Sequence, residues 1–393
     1  MTAGGTIPEG RPGDAAPLRA MIVDDSAVIR GMVARWLTAE PDIEVVATAP
    51  NGAMAIRQLA RVAPEVIVLD VEMPEMDGLT ALPEILRLAC NAKVLMSSTL
   101  TRAGAEISLK ALSLGAADYL AKPSSTRETN AVEAFRRDLV DKVRALGAAV
   151  RRHRGRSRPE TAPVSAPAAA TVVATEPRVS RLSPSAPIVT RPAGPIRPQL
   201  LAIGSSTGGP QALATLLGPL ASRLDVPILI TQHMPATFTA IMAEHLTKAT
   251  GVPAAEGRDG EMVQGRRIYV APGGFHMVVE RQGMNRVLRL NTEPPENFCR
   301  PSVDPMLRSV AAAYGAASLV VILTGMGQDG LNGSRAVVEA GGTIIAQDEA
   351  SSVVWGMPGA VAGAGLCSAV LPLGEIGATV ERLLRGPALA GVR

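Results

Sequence analysis

Two groups of side chains in this sequence are of the types that carry out group transfer. The first group is acidic: Asp24 and Asp25 follow one apolar run, and Asp70 ends another in VLDVEMPEMDG. Carboxylates gathered at one place repel one another unless a cation lies between them, and Mg²⁺ prefers such oxygen ligands. A metal-held carboxylate can attack a phosphoryl group and become an aspartyl phosphate. The pattern therefore indicates a phosphorylation site.

Two further residues complete this arrangement. Ser98 ends a fourth apolar run, and Lys122 ends a fifth, directly before Pro123. An ammonium group and a hydroxyl offer charge and hydrogen bonds to phosphoryl oxygens. One aspartate at the end of a strand could be a loop residue or a helix cap, but the whole set in order favours a functional site.

The second group of side chains indicates hydrolysis. In LLAIGSSTGGPQAL, Ser206 follows an apolar run, and Gly208-Gly209-Pro210 begins a predicted helix. Three interpretations compete for this loop: a phosphate or dinucleotide cradle, a purely structural turn, and a nucleophile on a turn. The glycine spacing is not GxGxxG, which disfavours the cradle, whereas residues 204–208 match GxSxG.

A serine nucleophile needs a base, and the base needs an orienting acid. His233 directly follows the apolar run VPILIT, just as Ser206 follows LLAIG, and Asp329 comes after the run SLVVIL. The other three histidines lie in an Arg-rich stretch, on a predicted helix and at the start of a predicted strand (His153, His245 and His276). The chain order Ser206, His233, Asp329 differs from the Ser, Asp, His order of α/β-hydrolases.

Such residues must be positioned by strands that end at a common edge. Strands are predicted at 18–23, 43–49, 66–70, 93–98 and 118–122, and again at 199–204, 226–231, 318–323 and 342–347. Their alternation with helices predicts α/β layers with parallel sheets, in which ligands bind at the carboxyl ends of the strands. Between the predicted strands at 226–231 and 318–323, the runs RRIYVAPGG, HMVVER and RVLRLN predict shorter antiparallel strands.

Composition divides the chain into segments. We predict a disordered tail at 1–17, a first domain at 18–140, an Arg-, Pro- and Ala-rich disordered linker at 147–198 and a second domain at 199–385. The linker prediction rests on a composition that buries too little apolar surface to order itself.

Several classes of protein are excluded by composition. A net charge of +3 is too small to indicate nucleic acid as a partner. No run reaches the roughly 18 apolar residues of a membrane span, and the N-terminus lacks the apolar region of a signal peptide. The three cysteines show neither a metal nor a disulfide pattern, and each is predicted to be a small buried apolar residue. We therefore expect a cytoplasmic protein.

On these motifs, residues 18–140 resemble a response-regulator receiver domain, which implies a CheY-like (βα)5 fold. The resemblance implies Asp70 as phosphoacceptor, with Asp24, Asp25 and the backbone carbonyl of Glu72 as further ligands of Mg²⁺. It also implies a switch formed by the hydroxyl, aromatic and lysine positions of the family (Ser98, Tyr119 and Lys122).

The second domain resembles the CheB methylesterase family in AIGSSTGGP, ITQHMPATFT, YVAPGGFHM, SVDPML and LTGMGQDG, across residues 199–385. This resemblance implies a doubly wound, mostly parallel domain with Ser206, His233 and Asp329 as nucleophile, base and orienting acid. Ser205 stands where many members have alanine, and Gln328 stands where asparagine is usual. We expect two nearby polar residues, His276 and Asp304, to be structural.

Together the resemblances imply a phosphorylation-activated serine esterase that demethylates glutamyl methyl esters on chemoreceptors and deamidates receptor glutamines. They imply Mg²⁺ in the receiver domain, no cofactor in the catalytic site, a CheA-type histidine kinase as phosphodonor, chemoreceptors as substrate and a monomer. Two rival classes are a receiver-controlled transcription factor and a non-catalytic phosphorelay adaptor. The first lacks a basic helix-turn-helix signal, and the intact Ser206, His233 and Asp329 argue against the second.

Overall fold

The computed structural model describes residues 16–123, 129–156 and 188–385. The chain divides into two compact units, Met1–Val150 and Arg151–Arg393. Residues 1–15 of the predicted tail and 157–187 of the predicted linker lie outside the described residues. Within the described ranges, no helix is long and apolar enough to cross a lipid bilayer.

The first unit is built on a five-stranded sheet of order β2-β1-β3-β4-β5, in which every neighbouring pair is parallel. Its strands are β1 (Leu18–Val23), β2 (Ile43–Ala49), β3 (Val66–Asp70), β4 (Lys93–Thr99) and β5 (Asp118–Lys122). They lie where the alternating apolar runs predict them. Strand β3 is buried along its whole length, which is typical of a parallel strand covered on both faces.

Helices follow each strand of this sheet. They are α1 (Ala27–Thr38), α2 (Gly52–Val62), α3 (Gly78–Leu88), α4 (Arg102–Ser113) and α5 (Thr129–Arg156). Helices α1 to α4 begin at polar caps (Ser26, Asn51, Asp77 and Thr101), whose side-chain oxygens accept from the backbone N–H three residues later. These caps fix each helix start close to the carboxyl end of the preceding strand, so the acidic residues meet at one edge.

The second unit contains a seven-stranded parallel sheet of order β14-β13-β12-β6-β7-β9-β8 and a separate antiparallel pair, β10-β11. The strands are β6 (Leu200–Ser205), β7 (Ile228–Gln232), β8 (Ala254–Glu256), β9 (Ile268–Val270), β10 (His276–Gln282), β11 (Asn285–Asn291), β12 (Ser318–Ile322), β13 (Thr343–Gln347) and β14 (Ala369–Leu371). Because β12, β6 and β7 are neighbours, their carboxyl ends lie side by side.

One strand prediction in this unit is wrong. The sequence predicts an antiparallel strand in RRIYVAPGG, but β9 pairs in parallel with both β7 and β8. All three residues of β9 are buried. Periodicity cannot assign a pairing partner to so short an apolar run, because the direction is set by the connections around it. The other two predicted strands do pair antiparallel, as β10 and β11.

Helices cover both faces of the larger sheet. They are α6 (Gly209–Leu217), α7 (Ala236–Thr250), α8 (Val303–Tyr314), α9 (Leu331–Glu339), α10 (Met357–Gly363) and α11 (Leu373–Arg385). The buried face of α8, which includes Val303, Leu307 and Val310, belongs to the same hydrophobic core as Leu200 and Val320 of the sheet. The N-terminus of α8 is thereby held close to the site described below.

The linker prediction of 147–198 differs from the structure at both ends. Helix α5 continues to Arg156, and Ala149 and Val150, which the prediction places in the linker, are buried. At the other end, the N–H of Arg191 donates to the carbonyl of Cys367 (2.9 Å), and Arg197 Nε donates to the carbonyl of Leu384 (2.6 Å). These backbone partners order a segment whose composition alone predicts disorder.

Candidate functional site

Ser206 lies in the turn between β6 and α6, directly beyond the carboxyl end of the central strand of the sheet. The turn depends on Gly208, whose φ of 77° is left-handed; a Cβ there would lie 2.5 Å from a methyl group of Val353. The carbonyl of Ser206 accepts from the N–H of Gly209 (2.7 Å), and its N–H donates to the carbonyl of Thr324 (3.0 Å). The serine is therefore held on a tight strand–helix turn.

The two adjacent serines have different surroundings. Ser205 is fully buried, and its hydroxyl donates to Gln232 Oε1 at 2.6 Å. The amide of Gln232 in turn donates to the carbonyl of Ser206 (2.9 Å). Ser206 itself is half-buried. A hydroxyl that is buried and already bonded is poorly placed to attack a substrate, so the geometry favours Ser206 over Ser205 as nucleophile.

His233 directly follows the carboxyl end of the neighbouring strand β7, and its backbone N–H donates to the carbonyl of Ser205 (3.2 Å). The ring uses Nε2 to contact Asp329 Oδ2 at 2.7 Å, while Nδ1 lies 3.4 Å from Cys299 Sγ. Asp329 comes from the loop between β12 and α9. The base and acid candidates are therefore brought together from sites 96 residues apart in the chain.

The Asp329 carboxylate is enclosed by hydrogen-bond donors. It accepts from the ring of His233, the amide of Asn297, the hydroxyl of Ser302 and the N–H groups of Val303, Asp304 and Gly330. Burial alone would raise its pKa, but the hydrogen bonds from His233, Val303 and Ser302 outweigh burial and lower the pKa of Asp329. The N–H groups of Val303 and Asp304 begin α8, where the helix dipole also favours an anion. Asp329 is thus fixed as a carboxylate.

The pKa of His233 is affected by opposing influences. Burial of the ring disfavours the imidazolium ion, whereas the Cys299 sulfur and the Asp329 carboxylate stabilise it. The net result is a raised pKa of about 10 for His233. The proton on Nε2 faces Asp329, so Nδ1 is the nitrogen that can exchange a proton with a substrate or a nucleophile.

The two polar residues expected to be structural have structural partners. His276 is fully buried, with Nε2 3.1 Å from the carbonyl of Pro294 and Nδ1 accepting from the N–H of Ser302 (3.2 Å). Asp304 accepts from the N–H of Gly333 (2.7 Å), and its burial raises its pKa. Neither side chain contacts His233 through a hydrogen bond within the part of the chain that the structure describes.

Three residues at the site are absent from the sequence-based candidates. Asn297 and Ser302 contact Asp329, and Cys299 contacts His233. Ser302 begins the SVDPML motif as the N-cap position of α8, so its motif was visible although its role was not. The prediction that each cysteine is simply buried is wrong for two of the three: Cys90 is exposed and Cys299 is half-buried, whereas Cys367 is buried.

Gln328, next to the acid, does not enter this network through its side chain. It is exposed, and its carbonyl accepts from the N–H of Leu331 (3.1 Å) at the start of α9. The donors around Asp329 come from other residues, so the longer side chain at position 328 leaves the carboxylate contacts in place.

The acidic residues of the first unit also meet. Ligand atoms of Asp24, Asp25 and Asp70 lie within 4.8 Å of one another. Lys122 Nζ lies 2.9 Å from Asp24 Oδ2 and 2.7 Å from Asp70 Oδ1. Burial raises the pKa of Asp70 to about 6, and Lys122 only partly offsets this effect. Three clustered carboxylates, of which Asp24 and Asp70 are buried, share one ammonium and are therefore deficient in positive charge.

This donor set fits Mg²⁺, which takes hard oxygen ligands and keeps several waters. A cavity of about 220 Å³ adjoins the cluster and is lined by Asp25, Asp70, Glu72, Ser98 and Lys122 among others. It provides room for a cation, its waters and a phosphoryl group. Gly78 allows the start of α3 to pack against the backbone of Asp70, because a Cβ there would lie 2.0 Å from the carbonyl oxygen of Asp70.

Two of the three predicted switch residues, Ser98 and Lys122, line this cavity. The Ser98 hydroxyl is buried and contacts Ser108 Oγ at 2.9 Å on α4. Tyr119 is buried, and its ring lies under Lys142 Nζ, 5.1 Å from the ring centroid. Lys142 also pairs with Asp118 at 3.1 Å.

Comparisons with known proteins agree with this division. A family model described as CheB methylesterase matches residues 201–380, and one described as response regulator receiver domain matches residues 20–132. A protein-glutamate methylesterase/protein-glutamine glutaminase of Azospirillum brasilense is 56% identical over 385 residues, covering 95% of this chain and 95% of its own. One from Paramagnetospirillum magneticum is 55% identical over 375 residues, covering 93% and 96%.

A solved structure is also similar to part of the chain. The Thermotoga maritima CheB methylesterase catalytic domain is 37% identical, covers 47% of this chain and 98% of its own, and has a TM-score of 0.46.

Proposed function

Because the chain belongs to the CheB methylesterase family, we propose that Ser206, His233 and Asp329 form the catalytic triad of a receiver-controlled esterase. Its activity is that of a protein-glutamate methylesterase and protein-glutamine glutaminase in chemotaxis. The observation that carries the assignment of residues is the His233–Asp329 pair at 2.7 Å, at the sheet edge where Ser206 directly follows β6.

In the proposed mechanism, Ser206 Oγ attacks the carbonyl carbon of a glutamyl methyl ester on a chemoreceptor. Its proton passes to Nδ1 of His233 when the ring is in its neutral form, because Nε2 then carries the proton that faces Asp329. The methoxide leaves as methanol by taking that proton. Water then attacks the acyl-enzyme with the same nitrogen as base, and the receptor glutamate and Ser206 are restored.

A primary amide can follow the same route. The Ser206 hydroxyl attacks the side-chain carbonyl of a receptor glutamine, and His233 delivers the proton to the leaving ammonia. Hydrolysis of the same acyl-enzyme gives glutamate. One site therefore accounts for both demethylation and deamidation.

The negative charge that develops on the substrate oxygen requires N–H donors. We propose N–H groups at Thr207 and in the Met326-Gly327 segment as these donors. The N–H of Gly325 itself donates to the carbonyl of Val354 (3.0 Å). Both proposed donor positions lie beside the Ser206 turn, since Thr207 follows the serine, and a Cβ at Gly325 would lie 2.9 Å from Ser206 Cβ.

We predict that Asp329→Asn lowers kcat for methanol release by about 10³- to 10⁴-fold, because an amide favours the wrong tautomer of His233 and does not stabilise its imidazolium. Initial rates on methylated receptor membranes measure the loss. Asp304→Asn is the matched control: it removes a neighbouring buried carboxylate with no hydrogen bond to His233. Equal losses in both variants, or none in Asp329→Asn, would contradict the assigned role.

We further propose that Asp70 is the phosphoacceptor and that Asp24, Asp25, Asp70 and the backbone carbonyl of Glu72 hold Mg²⁺. The metal supplies positive charge that offsets repulsion between the carboxylates and the phosphoryl group. Lys122 lies 2.7 Å from Asp70 and can pair with a phosphoryl oxygen, while the hydroxyl of Ser98 can donate to another. Tyr119 is the proposed aromatic switch.

Removal of Mg²⁺ should affect the phosphorylation site and leave the catalytic site active. With EDTA in excess, we expect phosphoryl uptake from acetyl phosphate to cease, since the clustered carboxylates lose their counter-ion, and excess Mg²⁺ should restore it. Basal methanol release should stay the same, because no cofactor is proposed for the catalytic site. Radiolabel transfer and methanol release, measured on one sample, give both answers; persistent labelling in EDTA would refute the metal site.

The proposed partners follow from the two domains. A receiver domain implies a kinase phosphodonor, and we propose a histidine kinase of the CheA type. The substrates are methyl-accepting chemoreceptors, whose modified helices are cytoplasmic, so we propose a cytoplasmic enzyme that acts as a monomer at receptor arrays. Nucleic acid is not among the proposed partners.

Of the two rival classes, the non-catalytic adaptor is the one to test. An adaptor would bind phosphodonor and receptors without turnover. Methanol release from methyl-labelled receptor membranes distinguishes it from an esterase directly. A transcription factor would need a nucleic-acid-binding output domain, whereas residues 201–380 match a methylesterase model.

A further inference from the structure

Both ring nitrogens of His233 have partners, but the proposed nucleophile is not one of them. Nε2 contacts Asp329 Oδ2 at 2.7 Å and Nδ1 contacts Cys299 Sγ at 3.4 Å. Within the described ranges, no hydrogen bond joins the hydroxyl of Ser206 to this ring. The sulfur of Cys299 therefore occupies the nitrogen that must accept the proton of Ser206.

The segment that presents Cys299 is held in an unusual backbone conformation. Asn297 and Phe298 both have left-handed φ values, 51° and 61°, which non-glycine residues seldom adopt. The amide of Asn297 donates to Asp329 Oδ1 at 3.0 Å, and the N–H of Cys299 donates to the carbonyl of Glu296 (2.9 Å). The Glu296 carboxylate in turn accepts hydrogen bonds from the two terminal guanidinium nitrogens of Arg308 on α8.

These contacts connect the segment to the acid on one side and to the base on the other. Backbone strain of this kind persists only where surrounding contacts enforce it, and it is concentrated at functional sites. The thiol position is therefore determined by the same network that fixes Asp329.

We infer that Cys299 is a positioning residue for the base: in the resting site its sulfur accepts from Nδ1–H of the charged His233 ring, and before attack this proton must leave to solvent and the Ser206 hydroxyl must take the place of the sulfur. This inference rests on the proposed role of His233. It goes beyond that role because it assigns a function to a residue outside the triad.

The charges around His233 support the inference. The ring faces Asp329 from the β12–α9 loop and Cys299 from the loop between β11 and α8. Asp304 and Arg308 of α8 interact with Asp329. The sulfur of Cys299 and the carboxylate of Asp329 both raise the pKa of His233. If the sulfur is removed, Asp329 remains, so the pKa of His233 should fall but stay influenced by the carboxylate.

The chain offers matched controls among its own thiols. Cys90 is exposed and lies in the first unit, while Cys367 is fully buried, which raises its pKa to about 12. Reactivity of a cysteine requires the thiolate and access to solvent. Modification of Cys90 therefore shows the effect of blocking a thiol that does not contact His233, and Cys367 should stay unmodified.

The first test measures the titration of His233 by NMR of its ring protons, in the full-length protein and in Cys299→Ala, Cys299→Ser and Cys90→Ala. We expect Cys299→Ala to lower the pKa of His233, because it removes the sulfur that raises this pKa, and to move the acidic limb of the kcat/KM profile to lower pH by the same amount. Cys299→Ser, which retains a hydroxyl partner, should fall between, and Cys90→Ala should match the parent. Identical titrations in all four proteins would overturn the inference.

The second test blocks the contact chemically. Methyl methanethiosulfonate is attacked at its sulfenyl sulfur by a thiolate, which forms a methyl disulfide on the cysteine and releases methanesulfinate. We expect it to inactivate the parent and Cys90→Ala, with recovery on addition of dithiothreitol, and to leave Cys299→Ala active. Inactivation of Cys299→Ala at the parent rate would contradict the role of Cys299.

Failure of this inference can be distinguished from failure of the proposed function. The NMR titration needs no substrate, so it tests the Cys299–His233 contact even if the triad assignment were wrong. Conversely, Ser206→Ala could be inactive while the pKa of His233 is the same in the parent and in the Cys299 variants. That result would retain the triad and reject the role of Cys299.

Discussion

Replacing Ser206 by alanine should lower kcat for methanol release by roughly 10⁴- to 10⁶-fold, because the variant loses the hydroxyl oxygen that we propose as the nucleophile. His233→Gln should cost about as much, since nucleophile and base act as a unit. Initial rates on methyl-labelled receptor membranes measure both. Far-ultraviolet circular dichroism and phosphoryl uptake should stay unchanged, because the substitutions lie in the second unit.

Ser205→Ala is the matched control for this prediction. It removes a hydroxyl of the same type from the adjacent position, but that hydroxyl is fully buried and donates to Gln232. We expect a modest loss of stability from the unpaired Gln232 oxygen and retention of most esterase activity. If Ser205→Ala were inactive and Ser206→Ala active, the nucleophile would be Ser205.

Replacing Asp70 by asparagine should eliminate phosphoryl uptake from acetyl phosphate in Mg²⁺ and with it all phosphorylation-dependent stimulation of the esterase. An amide cannot form the acyl phosphate, and it removes one negative charge from the ligand set around the metal. Basal methanol release should persist, because Ser206 and His233 are untouched. Incorporation of radiolabelled phosphoryl groups and initial esterase rates give the two readouts.

Asp77→Asn provides the control for Asp70→Asn. Asp77 is a nearby acid that caps α3 by accepting from the N–H of Thr80 at 2.7 Å, and asparagine caps helices equally well. We therefore expect normal phosphorylation in this variant. Labelling that survives in Asp70→Asn, or that is lost in Asp77→Asn, would place the acceptor elsewhere.

Much of this architecture is visible in the sequence for identifiable reasons. The central strands of both sheets are mostly aliphatic, and polar residues of the required types lie at or directly beyond their carboxyl ends, so the positions of Asp70, Ser206 and His233 could be predicted. Chain order and the rule that ligands bind at carboxyl ends of parallel strands then place these residues at common edges. The family resemblance supplies the roles that spacing alone leaves open.

What the sequence did not reveal depends on contacts between distant residues. Asn297 and Cys299 lie in a loop without periodicity. Their roles depend on contacts with Asp329 and His233, which are distant in the sequence and are brought near by the fold. Similarly, the direction of β9 and the ordering of Arg191 and Arg197 depend on pairing partners far along the chain. Local composition carries no record of such partners.

The most direct test of the central claim is to trap the acyl-enzyme. The phosphorylated protein is mixed with a methylated receptor peptide, quenched in acid within the first turnover, digested and mapped by mass spectrometry. We expect an ester between the receptor glutamate and Ser206, and its absence in Ser206→Ala. An acyl group on Ser205, on Cys299 as a thioester, or on any other side chain would contradict the mechanism proposed for this site.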